Sequence, residues 1–480
     1  MSVLAGVAVR DVTPEPGALM SGFVARTRPA VGAHDRLSVR ALVVGDTAVV
    51  TVDVVGLHED TCRRIRERCS GVRDVVVHAT HTHGGPVSMP GRLGERVDSA
   101  WLARVEDAAV EAVQEAATGR EPVALAAFEA PDPGVARNRR RPDGPVDSSL
   151  PVVVLTRGDG TVLAVLVSYA CHPVILGADN LLLTADYPGV VRDHLEAELG
   201  GVALFLTGCA GDANTGHTAA ASITTAPSAG RTFEACAEVG GRIARAVLDG
   251  LAHVGAATTE ADGPLGSWRA DVALLLDVPT PELLQAESAR WSEAARLTED
   301  DAQRTLYNTW SHWATTHPRS RQEPAPHPEP APQQDPAAHQ DPAAHQDPAP
   351  YLADSGVISQ QLRSRREEGP RDVADRWEGS VTLLRWGPAT VVGLPGEPFA
   401  ATAEAVRAVV GDGVTIVAGY CDGCPGYLPP AEEYPYGGYE VEDAHRYYGM
   451  PGPFARGSAE RLVAAVEELV AASARRVSRR

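Results

Sequence analysis

No run of about 18 or more apolar residues occurs in the chain, which excludes a membrane-spanning helix and stable membrane insertion. Positive charge is also scarce. Against 63 Asp and Glu stand 43 Lys and Arg, a net charge of −20, so no nucleic acid or anionic membrane surface is expected as a partner. Simple solubility accounts for the acidic excess. Nothing at the start of the chain resembles a leader: Met1-Ser2-Val3-Leu4 runs on without a charged segment or an apolar stretch. A cytoplasmic protein with a small, soluble substrate is therefore expected. The seven cysteines make no even disulfide framework and fit reduced thiols. Cys421-Asp422-Gly423-Cys424 has no second such pair to complete a structural zinc site, so it is read as a turn with two idle thiols. What remains is a 480-residue chain with 44% hydrophobic content, enough for one large domain or two.

The most informative stretch is Ala79-Thr80-His81-Thr82-His83-Gly84-Gly85-Pro86. Val75-Val76-Val77 before it has the character of a buried strand, and Gly84-Gly85-Pro86 after it breaks regular structure. His81 and His83 thus stand where a strand ends. Alternate residues there share a face, and neutral imidazole is the commonest protein metal ligand. Two further residues occupy similar places. The apolar run Leu163 to Ala170 ends in Cys171-His172-Pro173, and Thr390 to Leu394 ends in Pro395-Gly396-Glu397-Pro398. Taken singly, His172 is a core histidine and Glu397 a turn residue. Together they form a His, His, Glu set at strand-to-loop junctions, the composition of a catalytic zinc site with an open position.

At this point the sequence resembles the neutral/alkaline, non-lysosomal ceramidases and their bacterial ceramidase-like relatives. The resemblance is spread over about residues 5–255 and 380–460. Its pieces include Val12-Thr13-Pro14, Met20-Ser21-Gly22-Phe23, Asp35-Arg36-Leu37, Thr51-Val52-Asp53, Thr80 to Pro86 and Asn138-Arg139-Arg140-Arg141. Further along come Cys171-His172-Pro173, Asp186-Tyr187-Pro188-Gly189, Gly208 to Asn214, Pro395-Gly396-Glu397 and Glu433-Tyr434. The resemblance implies zinc (Zn2+) as cofactor, with His81, His172, Glu397 and Tyr434 as its ligands. It implies substrate contacts from His83 and Arg139. It also implies a further tyrosine before glycine, Tyr448, with Tyr447 as the alternative. One departure bears on specificity: where ceramidases have a serine in Gly-Asp-Val-Ser-Pro, this chain has Gly211-Asp212-Ala213-Asn214-Thr215. An amide cannot act as that hydroxyl, so poor ceramidase activity is expected. Zinc chemistry does not need the serine, because a zinc-bound water can ionise near neutrality. His83 is then expected to relay a proton or orient the acyl group, and Arg139 to bind an oxyanion or carboxylate in a bidentate way. Asp53 and Asp186 are candidates for carboxylates that orient the ligands. Asp186 and Asn214 are also expected to line the substrate pocket.

The organisation follows from pattern. The fold expected is α/β, a mixed β-sheet core flanked by helices. Residues 1–267 form the first part of the ceramidase-like catalytic domain, with helices near Trp101 to Ala117 and Phe233 to Leu251. Residues 268–321 are a helical insert, opened by Thr280-Pro281-Glu282 and carrying Trp291, Trp310 and Trp313. A lid over the site and a plain hairpin are both compatible with the insert. Residues 322–351 repeat Gln-Asp-Pro-Ala-Ala-His and are expected to be a disordered loop, dispensable for catalysis; loose metal binding by His327, His339 and His345 is not expected. Residues 352–474 complete the domain, with strands at Val381 to Leu384 and Ala389 to Leu394 and a helix from Ser458 to Ala472. Residues 475–480 form a basic tail. The immunoglobulin-like C-terminal domain of family ceramidases is not expected in this chain. The function expected is zinc-dependent hydrolysis of an amide, or an ester, of an acyl compound. A non-hydrolytic acyl transfer or cyclisation and a non-catalytic binding role are the alternatives. Assembly into a homo-oligomer is left open.

Overall fold

Valine-rich runs build a large sheet from β1 (Val3–Asp11), β2 (Ser38–Val44), β3 (Thr47–Val52), β4 (Asp74–Ala79), β5 (Glu121–Ala130), β6 (Leu150–Arg157), β7 (Val162–Tyr169) and β8 (Val202–Thr207). In the computed structural model these lie in the order β8-β7-β6-β5-β1-β2-β3-β4. Neighbours are antiparallel except at the two edges, where β3 runs parallel to β4 and β7 to β8. A second sheet contains β9 (Leu265–Leu275), β10 (Arg376–Trp386), β11 (Ala389–Gly393) and β12 (Val414–Ala418) in that order, with β11 and β12 parallel. The structure describes residues 3–94, 96–218, 225–226, 228, 230–254, 264–299, 301–316 and 375–477. The expected loop 322–351, with His327, His339 and His345, and the end of the basic tail lie outside the described residues.

The two sheets pack face to face. Leu42, Val44, Val49 and Val76 of the large sheet meet Leu384, Trp386, Val391 and Ile416 of the second. With both faces covered, β2, β3 and β4 are buried along almost their whole length rather than at alternate residues. It also refines the expected single sheet core into two. Helices close the outer faces. Over the large sheet lie α1 (Glu59–Arg68), α2 (Ser99–Thr118), α3 (Asp186–Leu199) and α4 (Phe233–Val254). The Asp98 carboxylate caps α2 by accepting from the Ala100 and Trp101 amides. This helix crosses β1 at Gly6, where a Cβ would stand 2.0 Å from the Ala116 carbonyl oxygen, so only glycine permits the approach.

The insert is a hairpin of α5 (Pro281–Leu297) and α6 (Asp301–Thr316). Thr280 caps α5 by accepting from the Leu283 amide. Trp291, Tyr307 and Trp310 pack on one another and against Tyr447. Trp313 Nε1 donates to the Met450 carbonyl at 2.9 Å, so the hairpin is docked on the segment that carries Tyr447 and Tyr448. Helices α7 (Ala400–Val410) and α8 (Ser458–Val477) cover the second sheet. Among the described residues no helix is long and apolar enough to cross a membrane.

Candidate metal centre

The parallel pairs β3–β4, β7–β8 and β11–β12 bring their C-terminal ends together, the place where open α/β sheets build sites. Hydrogen bonds join the ends directly. The Thr207 hydroxyl at the end of β8 donates to the Thr80 carbonyl at 2.7 Å, and the Ala79 amide of β4 donates to the Tyr420 carbonyl at 3.1 Å. Beyond β11 and β12, the Tyr420 amide donates to the Gly396 carbonyl at 2.8 Å. His81 follows β4, His172 follows β7, Glu397 follows β11 and Tyr420 follows β12. His81 and Tyr420 both have positive φ, 63° and 55°. Non-glycine residues held there store about 1–3 kcal/mol of strain each, a cost that clusters at functional sites.

His81, His83 and His172 each offer a ring nitrogen, and these atoms lie within 4.8 Å of one another. Glu397 Oε2 stands 3.0 Å from His172 Nε2 and 3.3 Å from His81 Nε2. The other nitrogens fix the chemistry. His81 Nδ1 lies 2.5 Å from the Val55 carbonyl and His172 Nδ1 lies 2.5 Å from the Ala210 carbonyl. A neutral imidazole has one N–H. Spending it on a carbonyl leaves each Nε2 as a bare lone pair facing a carboxylate oxygen. Glu397 Oε2 is accordingly buried without a hydrogen-bond partner. Two nitrogen lone pairs and one carboxylate oxygen aimed at one point are the donor set of a divalent zinc-like ion, and carbonyls on the far nitrogens are its usual support.

Asp53 anchors this arrangement from below. It is fully buried and accepts from the Ser38 amide and hydroxyl at 2.8 Å each, from Thr80 Oγ1 at 3.1 Å and from both Arg192 nitrogens at 2.7 and 2.9 Å. It thus holds the residue before His81, not His81, His172 or Glu397 themselves. Asp186 begins α3 and accepts from the Leu176 and Tyr187 amides at 3.2 and 2.8 Å. Its carboxylate braces the turn after His172.

The phenols differ from expectation. Tyr434 is half-buried on a 3-10 turn, and its hydroxyl donates to the Phe454 carbonyl at 2.7 Å. The phenols that reach the centre are Tyr448, whose hydroxyl donates to Glu397 Oε1, and Tyr427, 3.5 Å from His172 Nε2. Tyr447 packs against Trp310 instead. The physical reason is local. Segment 431–446 winds through short 3-10 and π turns, so distance along the chain from Glu397 does not decide which ring turns inward. Tyr448→Phe is therefore expected to weaken metal binding about tenfold or more, as loss of a ligand's hydrogen-bond partner does. Tyr434→Phe should leave binding within about twofold. Titration with a competing chelator measures both, and a reversed order contradicts the geometry.

Three other expected residues are placed as follows. His83 is half-buried, with Nε2 3.4 Å from His81 Nε2 and its ring 4.9 Å from Phe23. Gly22, at φ 95°, lets the chain pass it, since a Cβ there would stand 2.5 Å from His83 Nδ1. Arg139 Nε donates to Glu440 at 2.8 Å and Nη2 to the Gly211 carbonyl at 3.0 Å, with the guanidinium over the Tyr427 ring. Nε is thus engaged by Glu440, a carboxylate that Arg139 shares with Arg140. Asn214 closes its own loop, accepting from the Gly216 and His217 amides at 2.7 and 2.9 Å and donating to the His217 carbonyl at 2.7 Å. Its oxygen and one of its two N–H donors are thus used within the loop. Sequence reasoning missed Tyr420, whose ring stacks on His81 at 4.1 Å, and Tyr427. Tyr420 had the same signal as the ligands, a residue just beyond an apolar run.

Burial sets the protonation. It pushes His172 down to about 4, aided by the Arg139 charge, and lowers His83 well below its ordinary value. His78, whose Nε2 accepts from the Thr207 amide at 3.0 Å, is pushed down to about 3. Each folded value lies below the unfolded one, so the stabilising difference is present above about pH 6.5 and is lost as pH falls toward the folded values. Burial raises Asp186 to about 6 and Asp212 to about 7, which works in the opposite sense. Between about pH 6.5 and about pH 4.5, metal-stripped wild type should therefore lose more melting temperature than a His78→Gln variant, and equal losses would contradict a neutral, buried His78.

No protein-family model matches the chain, and no curated protein matches it in sequence. Solved structures do. A ceramidase complexed with C2 matches with a TM-score of 0.66 at 17% identity, over 99% of this chain and 76% of its own. The neutral ceramidase from Pseudomonas aeruginosa matches with the same score and identity, over 99% of this chain and 75% of its own. At that identity the likeness defines a fold: the chain has the mixed α/β fold of these ceramidases.

Proposed function

We propose that the chain is a zinc-dependent hydrolase that cleaves the amide bond, or less favourably an ester bond, of a soluble acyl compound. The observation that carries this reading is the buried, unpartnered Glu397 Oε2 facing the bare Nε2 atoms of His81 and His172. The ceramidase fold supports the same class. A zinc ion there supplies a Lewis acid and a water acidified to near neutrality. The chain's own groups do the rest. Tyr448 fixes Glu397 through Oε1. His83, kept neutral by burial, accepts a proton from the attacking group and returns it to the leaving amine. The cation of Arg139, beside Tyr427, faces negative charge that develops near His172. Asn214 supplies no hydroxyl, and its side-chain oxygen is taken up within its own loop, so ceramide is not the substrate this site favours.

The test is turnover of N-acyl compounds in water labelled with heavy oxygen, by zinc-loaded and chelator-treated protein. Label in the released carboxylate, lost with chelator and restored by zinc, supports the reading. Product without label would assign acyl transfer or cyclisation instead, and equal rates after chelation would remove the metal from the reaction.

A further inference from the structure

Two electron-rich atoms face each other at the centre. Glu397 Oε2 stands 3.0 Å from the bare Nε2 of His172 and has no hydrogen-bond partner among the described residues. Atoms of that kind repel unless an ion lies between them, so the scaffold must bring them together. His172 follows β7 of the large sheet and Glu397 follows β11 of the second, so no common strand ladder sets their distance. The loop 208–214, which leaves β8, reaches both. It grips His172 twice: the Ala210 carbonyl lies 2.5 Å from His172 Nδ1, and the Ala213 carbonyl accepts from the His172 amide at 2.9 Å. It grips the Glu397 stretch twice as well. The Gly211 amide donates to the Pro398 carbonyl at 2.9 Å, and Asp212 Oδ1 accepts from the Ala400 amide, the first of α7, at 2.9 Å. Asp212 is fully buried. Its Oδ2 accepts from Asn138 Nδ2 at 3.1 Å, and its carbonyl from the Arg139 amide at 2.9 Å. One residue thus ties the stretches 138–139, 210–213 and 397–400 at a single buried point. Both side-chain partners there are N–H donors, so the point calls for a group with two acceptor oxygens, a carboxylate.

We propose that Asp212 is a positioning residue for the metal centre, fixing the approach of His172 to Glu397 across the two sheets. The inference rests on the metal-centre reading above. Asp212 acts through the backbone on either side of it: the loop carries the grip on His172, and the Ala400 amide carries the grip on the turn that presents Glu397. The bond to Asn138 keeps the carboxylate turned toward both.

The test is Asp212→Asn, a change of nearly the same shape. The new amide must turn its N–H2 toward either the Ala400 amide or Asn138 Nδ2, so that two donors face each other. Cobalt(II) binding is measured by titration, the visible d–d spectrum is recorded at cobalt saturation, and crystal structures are compared without metal. Asp212→Asn should bind cobalt(II) about tenfold or more weaker than wild type, with altered d–d bands. Its separation of His172 Nε2 from Glu397 Oε2 should depart from 3.0 Å by about 0.5 Å or more. The double variant Asp212→Asn with Asn138→Asp should recover most of the loss. There the carboxylate at 138 accepts from the amide at 212 and still serves the Arg140 and Arg141 amides. If Asp212→Asn alone does not fold, Asn138→Ala, which removes one donor, is read in its place and should move affinity, spectrum and separation in the same direction. A changed separation, with wild type binding no cobalt(II), would sink the metal reading and keep the role of Asp212. Wild-type affinity and spectrum in Asp212→Asn, a loss with the separation unchanged, or a double variant no better than the single one would overturn the proposal.

Discussion

Glu397→Gln will leave the protein folded and empty of metal. Purified wild type should hold about one zinc per chain, and the variant only a small fraction of that. The carboxylate brings the negative charge and the oxygen that now faces two lone pairs. The amide brings neither in full, and its N–H2 can instead donate to the Nε2 atoms of His81 and His172. That satisfies both nitrogens with protons where the ion would sit. The metal-free variant should therefore be at least as stable as metal-free wild type, while activity falls by more than about a hundredfold, since even groups one step behind the ligands cost 10–100-fold. Elemental analysis and thermal melts decide the matter. Full zinc in Glu397→Gln, or a large loss of apo stability, would show that Glu397 serves packing and not a metal.

Arg192→Ala will destabilise the fold by about 3–5 kcal/mol, the penalty for stranding one charge of a buried pair. Asp53 is wholly buried, and Arg192 binds both of its oxygens. Burial by itself would raise the Asp53 carboxyl. The Arg192 guanidinium and the Ser38 bonds more than offset this and hold it below its ordinary value. Without Arg192 the carboxylate must stay charged and unpaired or take up a proton, and either change loosens Thr80, the neighbour of His81. Zinc affinity should fall along with stability. Replacing both partners, as Asp53→Asn with Arg192→Gln, should cost less than Arg192→Ala alone. Denaturant titration of the three proteins measures the difference, and a loss under about 1 kcal/mol for Arg192→Ala would contradict the pair's place in the fold.

The convergence of His81, His172 and Glu397 was legible where chain direction alone decides orientation. His81, His172 and Glu397 each follow a short apolar run, and the end of a buried strand can present a side chain at only one rim. Tyr434 was not legible in the same way. Tyr427, Tyr434, Tyr436, Tyr439, Tyr447 and Tyr448 crowd one stretch, and irregular turns there break the link between spacing and direction. Long-range pairing was hidden as well. Arg139 looked like a free cation because its partner Glu440 lies 301 residues away. The turn that takes up the Asn214 oxygen leaves no mark in composition. The helices and strands emerged near their expected limits, Ser99–Thr118 and Asp74–Ala79 among them. The division into two facing sheets did not, since the strands of the second are interrupted by the insert and nothing local says which sheet a strand joins.

The central claim is that His81, His172 and Glu397 meet around one ion. X-ray diffraction from zinc-loaded crystals, with data on both sides of the zinc absorption edge, tests it most directly. One strong anomalous peak is expected about 2.0–2.2 Å from His81 Nε2, His172 Nε2 and Glu397 Oε2. No peak between these atoms at full zinc loading, or a peak only at the surface histidines or the cysteines, would contradict it.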